Sequence, residues 1–124
     1  EDVLAGMSDR KKPLTVHHNR TTSEVPLDQI YYLESALRQI HVYGDIPHEP
    51  ICTFYGKITD LPPMLYENGF LQVGRSYVVN LQYVRAIRNY KVELRSGVEL
   101  GASRPDYAAI RSAWLEWKGQ FGNE

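Results

Sequence analysis

Alternating apolar and polar positions recur along the chain and predict a series of short strands. Leu14-Thr-Val-His-His18 reads as a first strand. Asn19–Ser23 is a polar turn, and Glu24–Pro26 is a short edge strand, because Pro26 cannot donate to a ladder. Over Gln29–Glu34, Tyr31 and Leu33 share one face while Ile30 and Tyr32 share the other. Both faces are apolar, so this strand is expected at the centre of a sheet. Arg38–Tyr43 alternates again, with Ile40 and Val42 facing in and His41 and Tyr43 facing out. After the proline-containing loop Gly44–Pro50, Ile51–Tyr55 returns as its hairpin partner.

The period changes twice. Met64-Leu-Tyr66, after Pro62 and Pro63, predicts a brief helix with Thr59 or Asp60 at its N-cap and Asn68-Gly69 as its stop. Near the C-terminus, Ser103-Arg-Pro-Asp106 has capping-box spacing. Tyr107, Ile110, Trp114 and Trp117 then form one helical stripe, ending near Lys118-Gly119. Between the helices lie Tyr77-Val-Val, then Val84–Arg88, then a run in which Tyr90, Val92 and Leu94 alternate with Lys91, Glu93 and Arg95. Ser96-Gly97 turns that run back into Val98 and Leu100. The sum is a mostly-β fold of roughly eight to ten short strands with one short internal helix and a C-terminal helix.

At 124 residues the chain fits one domain with some spare length. Residues 1–13 lack sustained periodicity and read as a linker or disordered tail, 14–118 as the domain, and 119–124 as a frayed C-terminus. Because it opens on Glu1, the chain reads as a piece of a larger protein. No run approaches the roughly 18 apolar residues of a membrane span, so no membrane contact by this segment is expected. Cys52 is the single cysteine, which excludes an internal disulfide and favours a reducing, cytoplasmic setting. It lies between Ile51 and Phe54 and reads as a small buried apolar side chain.

The net charge of −1 hides a local imbalance. Residues 75–104 carry Arg75, Arg85, Arg88, Lys91, Arg95 and Arg104 against Glu93 and Glu99, a local +4. A basic segment within a neutral chain suits a one-sided polyanion-binding face. Catalysis is poorly supported. His17 and His18 are adjacent on a strand and point to opposite faces, and His41 and His48 lack partners at metal spacing. No P-loop, dinucleotide fingerprint or nucleophile elbow is present, so no enzyme activity, metal or cofactor is expected.

Four stretches, in order, resemble the LytTR DNA-binding domain of bacterial transcription regulators: Asp28-Gln-Ile-Tyr-Tyr-Leu-Glu34, Phe54-Tyr-Gly-Lys-Ile-Thr-Asp-Leu61, Phe70-Leu-Gln-Val-Gly-Arg-Ser-Tyr-Val-Val-Asn80 and Ala102-Ser103-Arg104. The resemblance runs from about Leu14 to Leu115. It implies an elongated fold of about ten short strands, whose loops and strand ends enter successive major grooves of double-stranded DNA. It places Arg75 and Arg104 at DNA-contacting positions, with a third contacting region ending near Arg38. Ser76 and Asn80 also match motif positions, Asn80 reading as a structural hydrogen-bonder at a strand end. Arg88 and Lys91 are expected to set phosphate register. Gly74 stands where the family pattern has His, and Gln72 where it has Arg.

The function so implied is sequence-specific DNA binding as the output domain of a regulator of the two-component response-regulator type. Two copies would bind adjacent promoter repeats, and an N-terminal receiver or sensor domain would control them. Two alternatives stand beside it. One is a single-stranded nucleic-acid-binding β-barrel using Tyr31, Tyr32, Tyr43, Tyr55 and Tyr90 as stacking platforms. The other is a non-catalytic protein-interaction module.

Overall fold

The computed structural model describes residues 12–121. Ten strands, β1 (Pro13–His18), β2 (Thr21–Pro26), β3 (Tyr32–Ala36), β4 (Gln39–Tyr43), β5 (Pro50–Tyr55), β6 (Phe70–Val73), β7 (Tyr77–Asn80), β8 (Val84–Arg88), β9 (Lys91–Leu94) and β10 (Glu99–Gly101), accompany two helices, α1 (Met64–Glu67) and α2 (Arg104–Phe121). They form a β1-β2 hairpin, a five-stranded sheet in the order β5-β4-β3-β7-β6, and a three-stranded sheet in the order β10-β9-β8. Every pairing is antiparallel. β5 and β6 remain open edges of the large sheet, so it does not close into a barrel.

β3 is the middle strand of five, which explains its two apolar faces. Leu33, with Ile40, Val42 and Val78, joins a core that also contains Leu14, Val25, Leu27, Ile58 and Leu65. Tyr32, with Val73 and Val79, joins a second core with Ile87, Val92, Leu94, Ile110 and Trp114. Burying each such aliphatic side chain is worth about 1.5–3 kcal/mol. The central sheet is thus held from both sides, and its hairpin ends project from a rigid floor. The stripe predicted for the last helix is the one buried: Ile110 and Trp114 enter the second core, with Tyr107 and Trp117 packed at its margin.

Several sequence expectations differ in detail. The polar turn expected over Asn19–Ser23 is only Asn19–Arg20, both at positive φ, because β2 already starts at Thr21. The strand expected from Gln29 begins at Tyr32, since Leu27–Gln29 forms a 3-10 turn. Thr59 and Asp60 do not cap α1. They belong to a separate 3-10 turn over Ile58–Asp60, whose Asp60 carboxylate accepts from the Lys57 amide at 3.3 Å. Tyr90 is not an inward strand position. It sits with Asn89 in a two-residue turn at φ +61°, while Val92 and Leu94 are buried as expected and Glu93, on the opposite face of β9, is buried as well. α2 runs through Gly119 to Phe121, because Gly119 keeps a negative φ and does not end the helix.

Gly69 is a position where only glycine fits. Its φ is +88°, and a Cβ there would lie 2.8 Å from Trp117 Nε1. It stops α1 and lets α2 pack against the chain leading into β6. Among the described residues, no helix is long and apolar enough to cross a membrane.

Candidate nucleic-acid interface

The site is built from tight connections at sheet ends. β3 and β4 pair through Ala36↔Gln39, leaving a two-residue turn of Leu37 (φ +53°) and Arg38 (φ +66°). Positive φ at both central positions matches the right-handed twist of the flanking strands, the type I′ arrangement. β6 and β7 pair through Val73↔Tyr77, leaving the three-residue turn Gly74-Arg75-Ser76. Gly74 has φ +66° and open space around it, so its role is conformational. The Gln72 side chain donates to the Gly74 carbonyl at 2.9 Å and braces this turn from outside.

The two connections lie side by side. The Ser35 amide donates to the Ser76 carbonyl at 2.7 Å, extending the β3–β7 ladder to the base of both turns. A shallow groove lined by Leu71, Gln72, Gly74, Asp106, Ala109 and Ile110 then connects the Arg75 turn to the start of α2, which opens with Arg104.

Arg104 is held by the tip of the β8–β9 hairpin. Its guanidinium lies over the Tyr90 ring, 5.6 Å from the centroid, and Tyr90 packs against Tyr107 with centroids 4.7 Å apart. The Ala102 amide donates to the Tyr90 carbonyl at 2.8 Å, fixing the approach to α2. The Ser103 hydroxyl meets the Asp106 carboxylate at 2.8 Å. A cation on an aromatic face is oriented without being neutralised, so Arg104 keeps its charge for a further partner.

The expected site residues therefore divide. Arg38, Arg75 and Ser76 come together at one end of the large sheet, and Arg104 opens the helix on the other side of the groove. Among the described residues, neither Arg38 nor Arg75 has an ion-pair partner, and both are exposed. Arg88 and Lys91 are already engaged. Arg88 Nε lies 3.0 Å from Glu93 Oε2, Arg85 lies 3.7 Å from the same carboxylate, and Lys91 Nζ lies 3.4 Å from Glu99. The hydrogen bond from Arg88, then its charge and that of Arg85, hold the Glu93 carboxyl below the usual carboxylate range against the opposing effect of burial. The same partnership raises the Arg88 guanidinium. The local +4 of the sequence is thus partly spent inside the small sheet.

Asn80 is buried inside the fold. It is only 3% exposed, its amide donates to the Leu27 and Ile30 carbonyls, and its side-chain oxygen accepts from the Gln82 amide. It locks the end of β7 to the chain entering β3, the structural role read from its place at a strand end. The tyrosines proposed as stacking platforms are mostly occupied as well. Tyr31 stacks on Tyr83 at 4.0 Å, and Tyr32 is buried against Tyr43 at 4.6 Å. Burial raises the Tyr32 hydroxyl well above its ordinary value. Tyr90, read both as a strand position and as a stacking platform, instead carries Arg104 from a turn, and the Leu37-Arg38 turn was hidden because it lacks the Asn-Gly signature.

A family model described as the LytTr DNA-binding domain matches residues 20–115. No curated protein matches the chain. Among solved structures, the chain is similar to the LytTr DNA-binding domain of a Bacillus cereus protein described as a methyl-accepting/DNA response regulator. The two share 21% identity with a TM-score of 0.64, covering 85% of this chain and 97% of that one. The likeness is one of fold. The family match spans most of the chain, and this protein belongs to the LytTr family of DNA-binding domains. The mostly-β architecture implied by its sequence, ten short strands with one short internal helix and a C-terminal helix, is the one observed.

Proposed function

We propose that the chain reads double-stranded DNA in a sequence-specific manner, as the output domain of a bacterial transcription regulator of the response-regulator type. The observation that carries this reading is the placement of unpaired Arg38 and Arg75 on adjoining turns, with Arg104 held on Tyr90 at the start of the helix across the groove. A guanidinium fork matches guanine O6 and N7 or a phosphate, and short turns on a rigid sheet are narrow enough to enter a major groove. Arg75 and Arg104 take the base-reading role, Arg38 and Ser76 the phosphate role. Arg88 and Lys91 act second, because a phosphate must first displace Glu93 or Glu99. The exposed Lys91–Glu99 pair is weak enough for that exchange, whereas the buried Glu93 holds Arg88 more firmly.

One domain offers few contacts, so useful affinity comes from two copies on adjacent repeats. In the full-length regulator, an N-terminal receiver or sensor domain brings the copies together. Titration of the chain against a duplex and against either single strand of the same sequence, at several salt concentrations, tests this reading. Duplex preference with affinity falling steeply as salt rises supports it. A preference for single strands favours the stacking alternative, and salt-independent or absent binding favours a protein-interaction module.

A further inference from the structure

Leu37 is 95% exposed, the most exposed large apolar side chain among the described residues. It also occupies φ +53°, a left-handed conformation that disfavours a bulky side chain and that Asn or Gly adopts readily. Leu37 therefore contributes little to the core and strains the turn it sits in. Strain and exposure in one residue point to a use outside the fold. Its neighbours narrow that use. Arg38 follows it, Gln39 comes next, and the Gly74-Arg75-Ser76 turn stands alongside through the Ser35–Ser76 hydrogen bond. Tyr55, exposed opposite Gln39 on β5, is already packed on the His18 ring, so Leu37 does not stand in the contiguous apolar area that a protein-docking patch requires. Leucine has no donor or acceptor for a phosphate or a polar base edge. In the major groove, the one apolar group on a base edge is the C5-methyl of thymine.

We infer that Leu37 is a specificity-determining residue that packs on a thymine methyl when the β3–β4 turn enters the major groove. The inference rests on the DNA-reading function proposed above and adds to it the base that this turn selects. Arg38 anchors the turn on the backbone while Leu37 reads the methyl, so one two-residue turn supplies both register and selectivity.

The test uses the duplex that the wild-type chain enriches from a random pool. Each thymine is replaced in turn by deoxyuridine, which lacks only the methyl group. The wild type should lose affinity about fourfold at one position per half-site, the scale of one buried methyl or methylene. Leu37→Asn should be insensitive at that position and bind the thymine duplex with the same deficit. Asn suits the turn, so this variant should melt no lower than the wild type. A flat deoxyuridine scan, or one that weakens both proteins alike, overturns the role of Leu37 while leaving duplex recognition intact. Failure of the wild type to enrich or bind any duplex overturns both together.

Discussion

The Ser35 amide donates a 2.7 Å hydrogen bond to the Ser76 carbonyl, and through it the β3–β4 turn and the β6–β7 turn share one base. Arg38 and Arg75 are therefore carried by adjacent strands of a single sheet and cannot move independently. Replacing Arg75 by Ala should weaken duplex binding by about 1–3 kcal/mol and relax base preference at one position. Replacing Arg38 by Ala should weaken all duplexes alike and lower the slope of affinity against salt by about one phosphate contact. Fluorescence titrations across a salt series distinguish the two signatures.

Asn80 serves the fold, and its replacement should say so. Asn80→Ala removes a partner of the Ile30 carbonyl and of the Gln82 amide inside the protein, and the longer of two hydrogen bonds to the Leu27 carbonyl, which keeps the Ile30 amide. The expected loss is about 1–3 kcal/mol of stability, read by urea denaturation. Below the unfolding transition, DNA affinity should match the wild type. A selective loss of affinity with unchanged stability would return Asn80 to the contact set.

Gly69→Ala should destabilise the chain by about 1–2 kcal/mol from its left-handed backbone alone. The contact at Trp117 Nε1 should add to that loss. Thermal melting followed by circular dichroism checks it. Gly74→Ala meets nothing within 4 Å and should show only the backbone contribution.

Glu93 gives a pH dependence with a defined sign. Its carboxyl is held below the ordinary range by Arg88 and then Arg85, so the ionised form stabilises the native state. That stabilisation is fully present above the unfolded carboxylate value and is lost as pH falls through the lower native value. Glu93→Gln should therefore melt below the wild type at neutral pH, with the gap closing in acid. Releasing Arg88 should also raise DNA affinity at neutral pH, since one cation no longer has a carboxylate to leave.

Much of this arrangement was legible in the residues. Apolar residues throughout Ile30–Leu33 announced a central strand, and β3 is the third of five. The expected faces differ, because alternation begins only at Tyr32, so Ile30 packs with Leu33 and Tyr31 packs with Tyr32. The Tyr107, Ile110, Trp114 and Trp117 stripe announced the buried face of α2. Arg75 and Arg104 were singled out by the words around them. What could not be read was which cations pair locally. Arg88 and Glu93 are five residues apart on two strands, and only the β8–β9 register brings them to 3.0 Å. Tyr90 was misplaced because an apolar alternation continues through a turn residue without marking it. The roles of Gln72 and Ser35 depend on hydrogen bonds near the turns, which composition and periodicity do not express.

The most direct measurement is an unbiased selection of duplex DNA by the 124-residue chain, repeated with Arg75→Ala and Arg104→Ala. The wild type should recover a motif with repeated half-sites. Each variant should lose preference at a different position within the half-site. Recovery of no motif, or of the same motif by all three proteins, would contradict DNA reading by Arg75 and Arg104.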